Sequence, residues 1–280
     1  MKERRSRAPS LYQQFLDEIF KNPNAIVERS SKLYDVKDPH HSIPRLGRLI
    51  ITHKKIPVVY LSHQSHADAL VVGRITDKLR RASRMNGQDN LRGLYLPMAS
   101  SVVTGDQSPE VADLYRLFTP VLEEKGLYLK SVIREQDRKR YDHQGQSHQA
   151  MKELLEAPNQ GFGIAIFPEG TVEGGRTTLD EVNGLQPIQE NTLMHRFIRK
   201  YPDRVVLLPV AIDGGYKIVD PNTYRPTEEA MRQVLEGDSS QIQPIATATI
   251  GDLVSVSERN IEECTDSTFL MGRLAELLPS

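Results

Sequence analysis

The sequence predicts an α/β fold with a mostly parallel or mixed central sheet flanked by helices, resembling no all-helical or all-β pattern. Two observations predict it. Short apolar runs rich in β-branched residues recur along the chain, among them IPVVYL at 56–61, GFGIAIF at 161–167 and the run at 204–212. Each is strand-length and apolar on both faces, as a strand covered by helices above and below must be. Between these runs lie longer segments with apolar residues at helical spacing, so that strands and helices alternate.

The elements follow in order. Residues 8–22 read as a helix: Leu11, Phe15 and Ile19 recur every four positions, Tyr12 and Phe20 widen that face, and Pro23-Asn24 is the stop. Two readings stay open for this helix. It packs on the core, or it lies on a membrane surface beside the basic Lys2, Arg4, Arg5 and Arg7. The strand at 56–61 is followed by a helix over 69–84, a second strand at 93–98 and a helix over 111–124 that ends near Gly126. A third strand is expected at 127–133, a helix at 146–156 before Pro158, and the fourth strand at 161–167. A helix over 190–201 leads to the fifth strand at 204–212. A helix over 226–236, one or two strands within 245–256, and a closing helix over 266–278 complete the pattern. No internal repeat or low-complexity linker divides it, so a single domain over 1–280 is expected, with a helical lead-in over about 1–50. The polar segment 134–149 reads as an exposed loop or a frayed helix start, with a phosphate-facing loop as the other reading.

Composition excludes several classes. Hydrophobic residues at 38% and charged residues at 26% describe a folded chain rather than a disordered one. Lys plus Arg number 36 against 37 acids, a net charge of -1, so no nucleic-acid partner is expected. Cys264 is the one cysteine, which rules out a disulfide within the chain and fits a reducing, cytoplasmic compartment. The basic start MKERRSR is followed by no apolar stretch of a secretory signal. Nor does any window reach the roughly 18–20 apolar residues of a membrane span. The expected location is the cytoplasm, or the inner face of the membrane as a peripheral protein.

Three motifs sit at strand ends, where α/β sheets carry their chemistry. The first is Ser62-His63-Gln64-Ser65-His66-Ala67-Asp68. On an ideal helix, residues five apart are rotated by about 500°, leaving their side chains about 140° from each other. His63 and Asp68 therefore meet only if His63 lies on the loop and Asp68 in the first helical turn. There the carboxylate would hold one imidazole nitrogen and leave the other to take a proton from a hydroxyl. The competing reading makes Ser65-x-x-Asp68 a capping box and His63 a loop histidine, and the two can coexist. His66 is only two residues from Asp68 and is expected to face away from it. The second motif is Phe167-Pro168-Glu169-Gly170-Thr171. Here Pro168 ends a strand, Gly170 permits a tight turn, and Glu169 either contacts a polar substrate or only holds the loop. Arg176, after Gly174-Gly175, could deliver a guanidinium to a phosphate. The third is the apolar run at 206–212 with Pro209 inside it; core packing dominates, and the proline suggests a bulge or an edge.

In this order the motifs resemble the glycerolipid acyltransferase superfamily, which includes glycerol-3-phosphate and 1-acylglycerol-3-phosphate acyltransferases. The family's His, four residues, Asp is matched by His63 and Asp68, its Phe-Pro-Glu-Gly-Thr by residues 167–171, and its proline-bearing apolar strand by Leu208-Pro209-Val210. A loose counterpart of its remaining motif is Gly126-Leu127-Tyr128-Leu129-Lys130 with Arg134 close by. The resemblance spans 56–212, and Ile250-Gly251-Asp252 in the tail is also similar to the family.

The resemblance implies the family's α/β fold and an O-acyl transfer from acyl-coenzyme A or an acyl carrier protein to a hydroxyl of glycerol-3-phosphate or a lysophospholipid. His63 would be the base, oriented by Asp68, with no acyl-enzyme, so that Cys264 need not be a nucleophile. Lys130, Arg134 and Arg176 would hold the acceptor's phosphate, and Glu169, Gly170 and Thr171 would shape its site. No cofactor or metal is implied beyond the thioester co-substrate; His143 and His148 read as surface residues. Two departures concern the acceptor. The family often has Arg directly after the motif's Thr, where this chain has Val172, and the arginine of the second motif is less clearly placed here. The alternatives are an acyltransferase for another lipid hydroxyl, or a lipid- or carrier-binding relative without turnover. A serine hydrolase is disfavoured because no G-x-S-x-G elbow is present.

Overall fold

A computed structural model describes residues 10–104, 109–132, 146–168, 193–220, 223–237 and 240–279. In chain order the elements are α1 (Leu11–Lys21), α2 (Pro23–Lys32), β1 (Tyr34–Lys37), α3 (Ser42–His53), β2 (Ile56–Leu61), α4 (Asp68–Ala82), β3 (Arg84–Met85), β4 (Gln88–Asp89), β5 (Gly93–Ala99), α5 (Ser100–Thr104) and α6 (Pro109–Glu124). There follow β6 (Leu127–Val132), α7 (Gln146–Glu156), β7 (Phe162–Ile166), α8 (Leu193–Lys200), β8 (Val205–Asp213), α9 (Glu228–Glu236), β9 (Ala246–Ile250), β10 (Val254–Ser255), α10 (Ile261–Thr265) and α11 (Ser267–Ala275).

The centre is a mixed, mostly parallel sheet flanked by helices, the class the sequence predicts. The strands run β1-β9-β8-β2-β7-β5-β6, and β10 pairs with β8. From β8 to β6 every pairing is parallel. Beyond β8 the direction reverses: β9 is antiparallel to β8, and β1 lies parallel to β9 at the edge. The two faces carry separate cores, and β2 shows why its run is apolar throughout. Val59 and Leu61 pack under α1–α4, α6 and α9, while Ile56, Val58 and Tyr60 pack under α7, α8, α10 and α11. Period-two alternation thus serves two cores rather than one core and solvent.

Several expectations change. The lead-in is not purely helical: β1 enters the sheet with Tyr34 opposite Ala246. A four-residue strand with two charges, Tyr-Asp-Val-Lys, carries too short a periodicity to be read. The first helix ends at Lys21, just before Pro23, as expected, but Pro23 also opens a new helix. It is the first residue of α2, whose cap is the Asn22 side chain accepting from Ala25 N–H at 3.2 Å. The helix expected to reach 84 stops at Ala82, because Asn86-Gly87 turns a small hairpin of β3 and β4. On α1, Phe15 and Ile19 are buried, whereas Phe20 is 66% exposed.

Pro209 is not on an edge but faces the kind of bulge the sequence suggests: between the pairs Val210–Ile250 and Leu207–Val254, residues 251–253 stand opposite only two residues of β8. Pro209 lies in β8 between two neighbours, directly opposite Tyr60. Its carbonyl accepts from Gly251 N–H at 2.9 Å, so its ring nitrogen faces the same way. There residues 251–253 separate β9 from β10, and no ladder bond is asked of it. Among the described residues, no helix is long and apolar enough to cross a membrane.

The parallel body leaves no room at its narrowest crossing. A Cβ on Gly93 would stand 2.0 Å from the Gly126 carbonyl oxygen, the group that receives the Leu94 N–H at 2.9 Å. Gly93→Ala should destabilise the protein by about 3 kcal/mol or more, the upper range for overpacking because backbone must move. Urea unfolding of the variant beside the wild type measures it.

Candidate active site

The site lies where the sheet changes its winding. The chain leaves β2 into α4, on the first face, and leaves β7 toward α8, on the second. At the carboxyl ends of two adjacent strands whose connections diverge, a crevice opens, which is where open α/β sheets bind ligands. The loop of residues 62–67 and the exit of β7 at Phe167 border it.

That loop is folded around one carboxylate. Asp68, the first residue of α4, is wholly buried. Its Oδ2 accepts from the backbone N–H of Gln64 at 2.7 Å and of Ser65 at 2.8 Å, and faces His63 Nδ1 at 3.1 Å. Its Oδ1 accepts from Tyr34 OH at 2.9 Å and Ser65 Oγ at 3.2 Å. A buried charge persists only with such partners, and the N-terminus of α4 adds its own positive end. Neighbouring strands brace the loop. Ser62 Oγ accepts from Ile212 N–H at 2.7 Å, and Gln64 Oε1 from Gly215 N–H at 2.9 Å. Gly215 can be nothing larger without pressing on the site: a Cβ there would stand 3.0 Å from Asp68 Oδ1.

The loop-then-helix arrangement required for His63 and Asp68 to meet is the one observed, and of the expected capping box only one half is made. Ser65 N–H bonds back to the Asp68 carboxylate, although the helix cap position falls to Ala67 and Ser65 Oγ accepts from Ala67 N–H at 3.2 Å. With Nδ1 donating to the carboxylate, the lone pair of the neutral imidazole is on Nε2. No hydrogen-bond partner of Nε2 is found among the described residues. The His63 side chain is 12% exposed, and its ring stacks on Phe167 with centroids 4.1 Å apart. The imidazole is therefore oriented by Asp68, pinned by an aromatic face, and unpartnered among the described residues at the nitrogen that can receive a proton.

Tyr34 was invisible as a site residue in the sequence, because its strand was. Burial, and Asp68 beside it, hold its phenol well above the usual range, so it stays a donor to the carboxylate. Gln64 and Gly215 were also missed; Gly214-Gly215 directly after an apolar strand was the available signal for the latter.

His66 precedes α4 and turns from Asp68, as expected. It packs against Tyr224 and Tyr115, with ring centroids at 5.4 and 6.3 Å, and lines a narrow cavity between α1, α2, α4, α6 and α9. Its walls are almost wholly apolar. Tyr115 OH donates to the His66 carbonyl at 3.0 Å. Burial, then the neighbouring His63, pushes the His66 imidazole down to about 4.

The other proposed contacts fare differently. Lys130 is not brought to the dyad. Its strand is third from β2 in the sheet order, about 14 Å away at the usual strand spacing. Its ammonium is 3.5 Å from Glu153 and 5.0 Å from the Tyr95 ring. Arg134, Glu169, Gly170, Thr171 and Arg176, like His143, lie outside the described residues. Cys264 is buried far from the dyad under the second face, and burial pushes its thiol up to about 11, which removes it as a nucleophile at neutral pH. Among the described residues, no group of three or more His, Cys, Asp or Glu side chains is placed to hold a metal ion. No protein-family model matches the chain, and no curated protein matches it. The resemblance drawn above therefore rests on the motifs alone.

Tyr34→Phe removes a hydrogen bond to a buried charge and should cost about 1.5–3 kcal/mol, read by urea unfolding at neutral pH. His66 makes stability depend on pH. Its folded value of about 4 lies below the ordinary 6.5. In that window the unfolded chain takes up a proton that the folded protein refuses, so stability falls as pH falls from 6.5 toward 4. The drop from this group is at most about 3 kcal/mol. Unfolding measured at about pH 7 and about pH 4.5 should show a smaller drop in His66→Phe than in the wild type.

Proposed function

We propose that this protein is an O-acyltransferase of the glycerolipid acyltransferase kind, moving a fatty acyl group from acyl-coenzyme A or an acyl carrier protein to a lipid-precursor hydroxyl. The observation that carries the reading is the His63–Asp68 pair, 3.1 Å apart with Asp68 fully buried, at the carboxyl edge of the sheet and beside an apolar cavity. A buried carboxylate on Nδ1 holds the tautomer in which Nε2 is basic. His63 takes the proton of the acceptor hydroxyl as its oxygen attacks the thioester carbonyl. The C–S bond then breaks, and the proton passes to the departing thiolate. No covalent enzyme intermediate is needed, in keeping with the raised Cys264 thiol.

Glycerol-3-phosphate or a lysophospholipid such as 1-acylglycerol-3-phosphate is the proposed acceptor. Arg134 and Arg176 are the cations for its phosphate, and Glu169, Gly170 and Thr171 shape its site. Lys130 would have to leave Glu153 to join them, and that placement favours a second reading in which the acceptor is a hydroxyl without a phosphate. The reaction is placed in the cytoplasm or on the inner face of the membrane, where such acceptors are used.

The test is thiol release over a panel of acceptors with both donor types. His63→Ala should lower turnover by about 10²–10⁴ while leaving the fold and donor binding intact; undiminished turnover in this variant rejects the assignment. For the phosphate role, Arg176→Ala should raise the acceptor KM more than the donor KM. An unchanged acceptor KM favours the acceptor without a phosphate.

A further inference from the structure

We infer that the apolar cavity beside the dyad binds an aliphatic chain carrying one hydroxyl near its head, and that His66 reads that hydroxyl. Leu33, Leu70, Val111, Phe118 and Ile218 are among its walls, and the space is narrow. Such a lining takes hydrocarbon and refuses a phosphate or a sugar, whose polar groups would lose water and gain no partner. One wall atom is out of keeping. His66 Nε2 is buried and has no hydrogen-bond partner among the described residues. Leaving a buried polar atom unpaired costs free energy, and a phenylalanine would fill the same wall without that cost. Tyr115, one of the two tyrosines packed against it, spends its hydroxyl on the His66 carbonyl rather than on the ring.

The partner that fits is neutral. Burial keeps the imidazole uncharged at neutral pH, so it offers no charge to a carboxylate or phosphate. A hydroxyl suits it in either tautomer, because a hydroxyl both donates and accepts. The position of that hydroxyl rests on the acyltransferase reading. His66 stands edge-on to His63 with ring centroids 6.1 Å apart. A thioester carbonyl held at His63 would therefore bring the first few carbons of its chain past His66, as in a 3-hydroxyacyl group.

The experiment uses the full chain and needs no turnover. Binding of hexadecanoate and of 3-hydroxyhexadecanoate is measured by calorimetry on the wild type and on His66→Phe. The hydroxylated chain should bind the wild type about tenfold more tightly, the usual worth of one well-made hydrogen bond, and His66→Phe should erase or invert that preference. Equal affinities in the wild type, binding of neither chain, or a preference that survives in His66→Phe overturns the inference. Should His66→Phe fail to fold, the ring-nitrogen NMR resonance of His66 in the wild type decides. A shift with the hydroxylated chain alone supports the inference, and an equal response to both chains overturns it. A protein that binds as stated yet transfers no acyl group refutes the acyltransferase reading and leaves this one standing.

Discussion

The carboxylate of Asp68 is the constraint on which the site depends. It sits at zero exposure with donors from β1 and from the loop after β2. Each donor is a local expense of order that a buried charge makes worthwhile, since an unpartnered carboxylate there would be intolerable. The result is that a six-residue loop between β2 and α4 has essentially one shape. His63 takes its orientation from that shape and from the Phe167 ring stacked on it.

This arrangement ties distant parts of the chain to one atom pair. Tyr34 comes from an edge strand that joins the sheet beside β9, and Gly215 from the turn after β8. Phe167, at the exit of β7, closes over the imidazole. The parallel body brings β7, β2 and β8 side by side with their carboxyl ends together. The crevice at the winding change is thus lined from several elements even though the dyad itself spans only six residues of sequence.

The two histidines of the loop are opposites. His63 has its Nδ1 on a carboxylate and its ring at the crevice, while His66 is turned under α4 and α6 into an apolar wall. Three residues of separation within the loop before α4 suffice to send them to different surroundings. A general-base role fits the first, and the second is suited to contact a ligand without moving its proton.

Much of the fold was legible because its signals are local. The runs at 56–61, 93–98 and 127–133 begin at the observed first residues of β2, β5 and β6; the first is apolar, β-branched and buried throughout, which leaves it few alternatives. The His63–Asp68 juxtaposition was also legible, as a spacing that works only across a loop-to-helix junction. What escaped were short or charged elements such as β1 and the β3–β4 hairpin, whose stability comes from their neighbours rather than from their own pattern. Pro209 reads from the sequence as an edge or a bulge, and the register of β9 and β10 decides for the bulge, with three residues opposite two of β8. The sequence by itself determined the α/β class, the order of most strands and helices, and the dyad. Only the tertiary structure decided that Tyr34 and Gln64 complete the site, that Lys130 stands apart from it, and that His66 lines a cavity. Those are contacts between residues tens to hundreds of positions apart, and burial, not spacing, creates them.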